Sequence, residues 1–131
     1  MAIRPRAELP EAMMIFTRDP DSGQAKATLV LNGEIDVATA PALRHVADNL
    51  PLSQLHRLTV DLADVPFMDS TGVAFMVSLR KRMPVGSEIV VVEAAPIVGR
   101  VLQLSGLGEV IDLPAATLAP AAGEDRLDAT G

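Results

Sequence analysis

Leu58-Thr59-Val60-Asp61-Leu62 is an extended run, Asp69-Ser70-Thr71-Gly72 follows a few residues later, and Val73 to Met83 is then largely apolar with a helical pattern. Strand, short turn and helix in that order leave unpaired backbone N–H groups and the positive end of a helix dipole at the turn. Two hydroxyls and a carboxylate sit there. Asp-Ser-Thr-Gly reads in three ways: as an ordinary helix N-cap, as an anion-binding turn, or as a phosphorylation site. The rest of the chain bears on the choice.

Upstream, Met13-Met14-Ile15-Phe16 reads as a short strand, and Asp19-Pro20-Asp21-Ser22-Gly23 is rich in turn-forming residues. Ala27, Leu29 and Leu31 alternate with Lys26, Thr28 and Asn32, the period of a second strand. The short connection makes the pair an antiparallel hairpin. A helix is expected from Thr39-Ala40-Pro41, with Thr39 as N-cap and proline in the first turn, where a missing N–H costs nothing. Leu43, Val46, Ala47 and Leu50 mark its buried face and Arg44, His45 and Asp48 its outer face.

Downstream, Arg80-Lys81-Arg82 is placed to complement the helix's negative end. Glu88 to Glu93 encloses an unbroken β-branched run, expected to form a central parallel strand covered on both sides. Pro96 opens a third helix, its inner face assigned to Ile97, Val101 and Leu104, and it closes near Gly106. Val110-Ile111 reads as a short last strand. Val90, Val92, Leu62 and Leu104 are the expected core markers. Two successive strand–helix–strand crossovers imply right-handed parallel connections. The expected architecture is α/β, an N-terminal β-hairpin leading into a mostly parallel sheet with about three helices. One domain is expected over residues 13–113, flanked by flexible segments at 1–12 and 114–131, the second rich in Pro, Ala, Gly and Thr with scattered charges.

Composition excludes several functions. Eleven Lys and Arg against 17 Asp and Glu leave a net charge of −6, which opposes direct contact with a nucleic-acid backbone. Cysteine is absent, so no disulfide or thiolate metal site exists. No run approaches the roughly 20 apolar residues of a membrane span, and the N-terminus lacks a signal-peptide core. A soluble, cytoplasmic protein is expected. His45 falls on a helix's outer face and His56 in a polar loop, with no third ligand at metal-site spacing. Phosphate-binding and dinucleotide glycine motifs are missing, and Ser70 is not in a Gly-x-Ser-x-Gly elbow. Asp69 and Gly72 are one residue too far apart for an aspartic-protease loop, whose fold is also all-β. Neither an enzyme nor a cofactor is expected.

Five stretches then stand in order: Gly33-Glu34-Ile35-Asp36, Thr39-Ala40-Pro41, Val60-Asp61-Leu62-x-x-Val65, Phe67-Met68-Asp69-Ser70-Thr71-Gly72 and Leu104-Ser105-Gly106-Leu107. Together they resemble the STAS domain, and within it the bacterial anti-sigma factor antagonists, over about Met13 to Leu113. The resemblance implies a STAS-like fold and a partner switch. Such antagonists bind a serine-kinase anti-sigma factor, are switched off when it phosphorylates them from ATP and magnesium, and are restored by a metal-dependent serine phosphatase. By the same resemblance the phosphoacceptor is Ser70, and Asp36, Asp69, Ser70, Thr71 and Gly72 meet the partner. Where many members carry Gly-Leu-Gly after the acceptor, Gly72-Val73-Ala74 stands here. The alternative is a non-switching STAS subunit of a lipid-transport ATPase complex or signalling scaffold.

Overall fold

Leu58, Val60 and Leu62 alternate with residues that keep some exposure, and that alternation sets the sheet. The computed structural model describes residues 11–113, so the flanking segments expected to be flexible, apart from residues 11 and 12, lie outside the described residues. Four strands pair in the order β1 (Glu11–Arg18), β2 (Ala25–Asn32), β3 (Leu55–Asp64) and β4 (Glu88–Val92). β1 and β2 form the expected antiparallel hairpin, and β2–β3 and β3–β4 are parallel. The hairpin turn is tied by Arg18 Nη1 to the Gly23 carbonyl at 2.7 Å. Asp19 accepts from Ser22 Oγ at 2.7 Å, which with the Asp21 N–H holds its carboxyl below the ordinary aspartate range.

Helices α1 (Ala40–Asp48), α2 (Ser70–Arg82) and α3 (Pro96–Leu104) supply the crossovers. Their inner residues form one buried cluster with Ala27, Leu29, Leu31, Leu58, Val60, Leu62 and Val91. The opposite sheet face carries Lys26, Thr28, Val30, Thr59 and Asp61, none of them fully buried. On α1 the expected face is correct: Leu43 and Ala47 are buried, and Val46 and Leu50 pack at the margin. The basic end of α2 also acts locally. Arg80 donates to the Ser87 and Pro84 carbonyls at 2.9 and 3.0 Å and closes the loop into β4. Arg82 reaches Asp48 of α1 at 2.9 Å.

Six expectations need correction. Val92, an expected core marker, is only half-buried at the end of β4. Leu104 is 77% exposed, and Ile97 is also outside; the inner face of α3 is Val98 and Leu102. Apolar residues at 97, 98, 101, 102 and 104 leave a nine-residue helix two readable faces, and packing selects the one that meets Ile89 and Val91. β4 is not central: it ends the sheet order, its far margin met by a single bridge from Val90 to Asp112. That bridge replaces the expected strand at Val110-Ile111, where the chain is still leaving a 3₁₀ turn over Leu107–Glu109. His56 lies in β3, half-buried, because the strand begins three residues before the apolar alternation does. Thr39 occupies the N-cap position of α1 without capping it, since its hydroxyl turns back into the preceding loop.

Candidate functional site

Ligand sites on parallel sheets gather at the carboxyl ends of the strands, where the chain leaves the sheet. Here two loops lie side by side at that end. Gly33 leaves β2 with φ at 112°, a left-handed conformation open to glycine, and its N–H donates to the Asp64 carbonyl at 3.1 Å. Ile35 N–H donates to the Phe67 carbonyl at 3.0 Å, and Asp69 N–H to the Ile35 carbonyl at 3.1 Å. This parallel bridge between Ile35 and Met68 makes Asp36 and Asp69 neighbours across it. The structure thus brings together two aspartates that stand far apart in sequence.

Asp36 braces the loop before α1, and Asp69 starts α2. Asp36 Oδ1 accepts from the Ala38 and Thr39 N–H groups at 3.0 and 3.1 Å, supporting the entry to α1. Thr39, only 2% exposed, accepts from Asp36 N–H at 2.9 Å and turns its proton to the Glu34 or Asp36 carbonyl, each at 3.1 Å. Asp69 is the N-cap of α2, its Oδ1 accepting from Thr71 N–H at 2.7 Å. An aspartate there satisfies an orphan donor and adds negative charge at the positive dipole end. The N-cap reading therefore holds for Asp69 and leaves Ser70 free of that duty.

Ser70 is the first residue of α2 and is exposed, and its hydroxyl makes no hydrogen bond among the described residues. Thr71 is half-buried at the next position. Gly72 is buried. A Cβ there would fall 2.5 Å from Sδ and 2.9 Å from Cε of Met68, and closer still to its Cγ. Met68, 1% exposed, therefore lies against the first turn of α2 in space that only glycine leaves open. Of the five expected site residues, Asp36, Asp69, Ser70 and Thr71 reach the surface at least in part, while Gly72 acts from beneath.

Two apolar neighbours stand outside the expected site residues, although Phe67 opens one of the five ordered stretches. Val37 and Phe67, 77% and 39% exposed, flank the aspartates as apolar groups on an acidic rim. The sequence signal for Val37 is only its position next to Asp36, whereas Phe67 stands in the same stretch as Asp69, two residues before it. Among the described residues no group of three or more His, Cys, Asp or Glu side chains is disposed to hold a metal, and no helix is long and apolar enough to cross a membrane.

Comparison with known proteins bears on this geometry. The STAS domain family model matches residues 21–121, past the expected domain end at Leu113. The chain is 33% identical over 85 residues to the anti-sigma-B factor antagonist of Listeria monocytogenes, spanning 62% of this chain and 72% of that one. Its fold matches an anti-sigma factor antagonist from Mycobacterium paratuberculosis with a TM-score of 0.63 and 25% identity, covering 87% of this chain and 95% of the other. The Bacillus cell fate determinant SpoIIAA in its phosphorylated form shares the fold, with a TM-score of 0.51, 20% identity and coverage of 86% and 100%. With its ordered motifs, its hairpin-led parallel sheet and a family match over most of its length, the chain belongs to the STAS domain family.

Proposed function

We propose that this protein is an anti-sigma factor antagonist that binds a serine-kinase anti-sigma factor and is switched off by phosphorylation at Ser70. The observation that carries the reading is the state of Ser70 itself. Its hydroxyl is exposed and makes no hydrogen bond among the described residues, while around it Asp69 is committed to the cap, the Asp69 N–H to Ile35 and the Thr71 N–H to Asp69, and Thr71 itself is half-buried. A kinase can reach such a hydroxyl without unfolding anything.

Phosphorylation adds about −1.5 to −2 charge at neutral pH. Within the fold, the dipole at the start of α2 tolerates that charge. At a protein interface the same group is bulky and strongly hydrated, and Asp36 and Asp69 already supply like charge beside it. Docking is lost while the domain stays folded, as a reversible switch requires. In this reading Asp36, Asp69, Ser70 and Thr71 form the docking surface, with Val37 and Phe67 as its apolar rim, and Gly72 holds the turn in place. The relatives' names support the antagonist role, and SpoIIAA, a neighbour in fold, is itself known in a phosphorylated form. The role is regulatory rather than catalytic, and the site is cytoplasmic. A metal-dependent serine phosphatase completes the cycle.

Titration of the kinase-type anti-sigma factor against variants tests the proposal. Ser70→Ala is expected to bind and take up no phosphate, and Ser70→Asp to bind more weakly than wild type, though less so than the phosphorylated protein. Equal phosphate uptake by wild type and Ser70→Ala would remove Ser70 as the acceptor.

A further inference from the structure

Next to the Ser70 turn, α1 and α2 enclose an open cleft of about 160 Å³. Its floor includes Ala47 and Phe75, both nearly buried, and its walls include Thr71 and Ala74 from α2. That volume is comparable with a cavity of roughly 150 Å³ that admits benzene. Arg44 and Arg82 line the same cleft. Arg82 is engaged by Asp48 at 2.9 Å, whereas Arg44 has no ion pair among the described residues. On a chain of net charge −6, beside a turn bearing Asp36 and Asp69, this is a local reversal of sign. Small side chains keep the cleft open: Ala40, Ala47 and Ala74 line it, and a larger residue at position 74 would fill the space.

Resting on the antagonist reading above, we propose that this cleft receives one apolar side chain bordered by a carboxylate from the anti-sigma partner, with Arg44 pairing with the carboxylate. The apolar group fills the space over Ala47 and Phe75. The carboxylate then meets a guanidinium whose charge is not already committed, an arrangement that gives register and specificity as well as attraction. Because Thr71 lines the cleft and Ser70 adjoins it, a phosphate on Ser70 introduces negative charge beside the position the partner's carboxylate must take.

Two experiments on the full chain test this. In the first, an NMR titration uses phenylacetate as probe, with benzylamine as the cationic counterpart. Phenylacetate is expected to shift the amides of Arg44, Thr71, Ala74 and Ser78 saturably at millimolar concentration. Arg44→Gln should weaken it several-fold, Ala74→Leu should abolish it, and benzylamine should produce no such set of shifts. In the second, Arg44→Glu and Ala74→Leu are expected to weaken binding of the serine-kinase anti-sigma factor about tenfold or more. Lys26→Glu, the same charge change on the open sheet face, should bind as wild type. Thermal melting confirms that each variant is folded. If both cleft variants bind the kinase as wild type does while Ser70 still accepts phosphate, the cleft proposal is overturned and the switch stands. If wild type binds no such kinase, the switch reading falls, and the phenylacetate titration decides the cleft: saturable, Arg44-dependent binding upholds a site for acid-bordered apolar groups, and its absence overturns it.

Discussion

Helices α2 and α3 begin in opposite ways. The start of α2 is held by an aspartate cap at 2.7 Å, by a backbone bond from Asp69 to Ile35 at 3.1 Å, and by Met68 packed into the space beside Gly72. The start of α3 has Ala95 at its N-cap with no side-chain bond, then Pro96, and the helix attaches chiefly through Val98 and Leu102. Directional contacts at α2 fix the backbone that carries one exposed hydroxyl. Burial at α3 fixes little beyond the fact that the helix docks. Stability and site geometry are thus separable, and mutations should move them separately.

The largest stability effect is expected on α3. Leu102→Ala should cost about 2–5 kcal/mol, since the residue is fully buried. Leu104→Ala, two positions on and exposed, should change stability by no more than about 0.5 kcal/mol. Urea denaturation of the pair checks the assignment of faces, and equal losses would break it. Neither change should alter the Ser70 turn, so the Leu104 variant is expected to bind its partner as wild type does.

A middle effect is expected beneath α2. Alanine usually stabilises a helix relative to glycine by about 1 kcal/mol, but at Gly72 the added methyl meets Met68. Gly72→Ala should therefore destabilise by about 1–3 kcal/mol, the usual cost of overpacking. Adding Met68→Ala should cost less in that background than in wild type, so the double-mutant cycle sharpens the claim that these two residues share one space. Simple additivity would show that they do not.

The smallest stability effects belong to the tip of the turn. Asp69→Ala loses a cap worth about 1 kcal/mol, and Ser70→Ala should stay within about 0.5 kcal/mol. Melting curves check both. A loss at Ser70 as large as that at Asp69 would mean that the hydroxyl has a structural task.

This contrast also explains what was legible in the sequence. The turn at Asp69 to Gly72 was readable because caps and strand–turn–helix order are local properties. The hairpin and the inner face of α1 were readable because their periodicities are unambiguous. The face of α3 was not, because apolar residues occupy two faces of a short helix and only the neighbouring strand chooses between them. The edge position of β4 was hidden for a related reason: Ile89, Val90 and Val91 are all buried in the structure, so composition imitates a central strand. Gly72 was noticed as part of a motif, but its packing against Met68 depends on how the turn folds back. The cleft at Arg44 depends on two helices meeting and has no single-segment signature.

The central claim is that Ser70 is the group the switch acts on. Incubation of the full chain with its kinase-type anti-sigma factor, ATP and magnesium, followed by mass-spectrometric localisation of phosphate, tests it most directly. The account predicts one phosphate per chain, on Ser70, and loss of the kinase complex once it is attached. Phosphate on Thr71 or elsewhere, or none from a kinase that binds the protein, would contradict it.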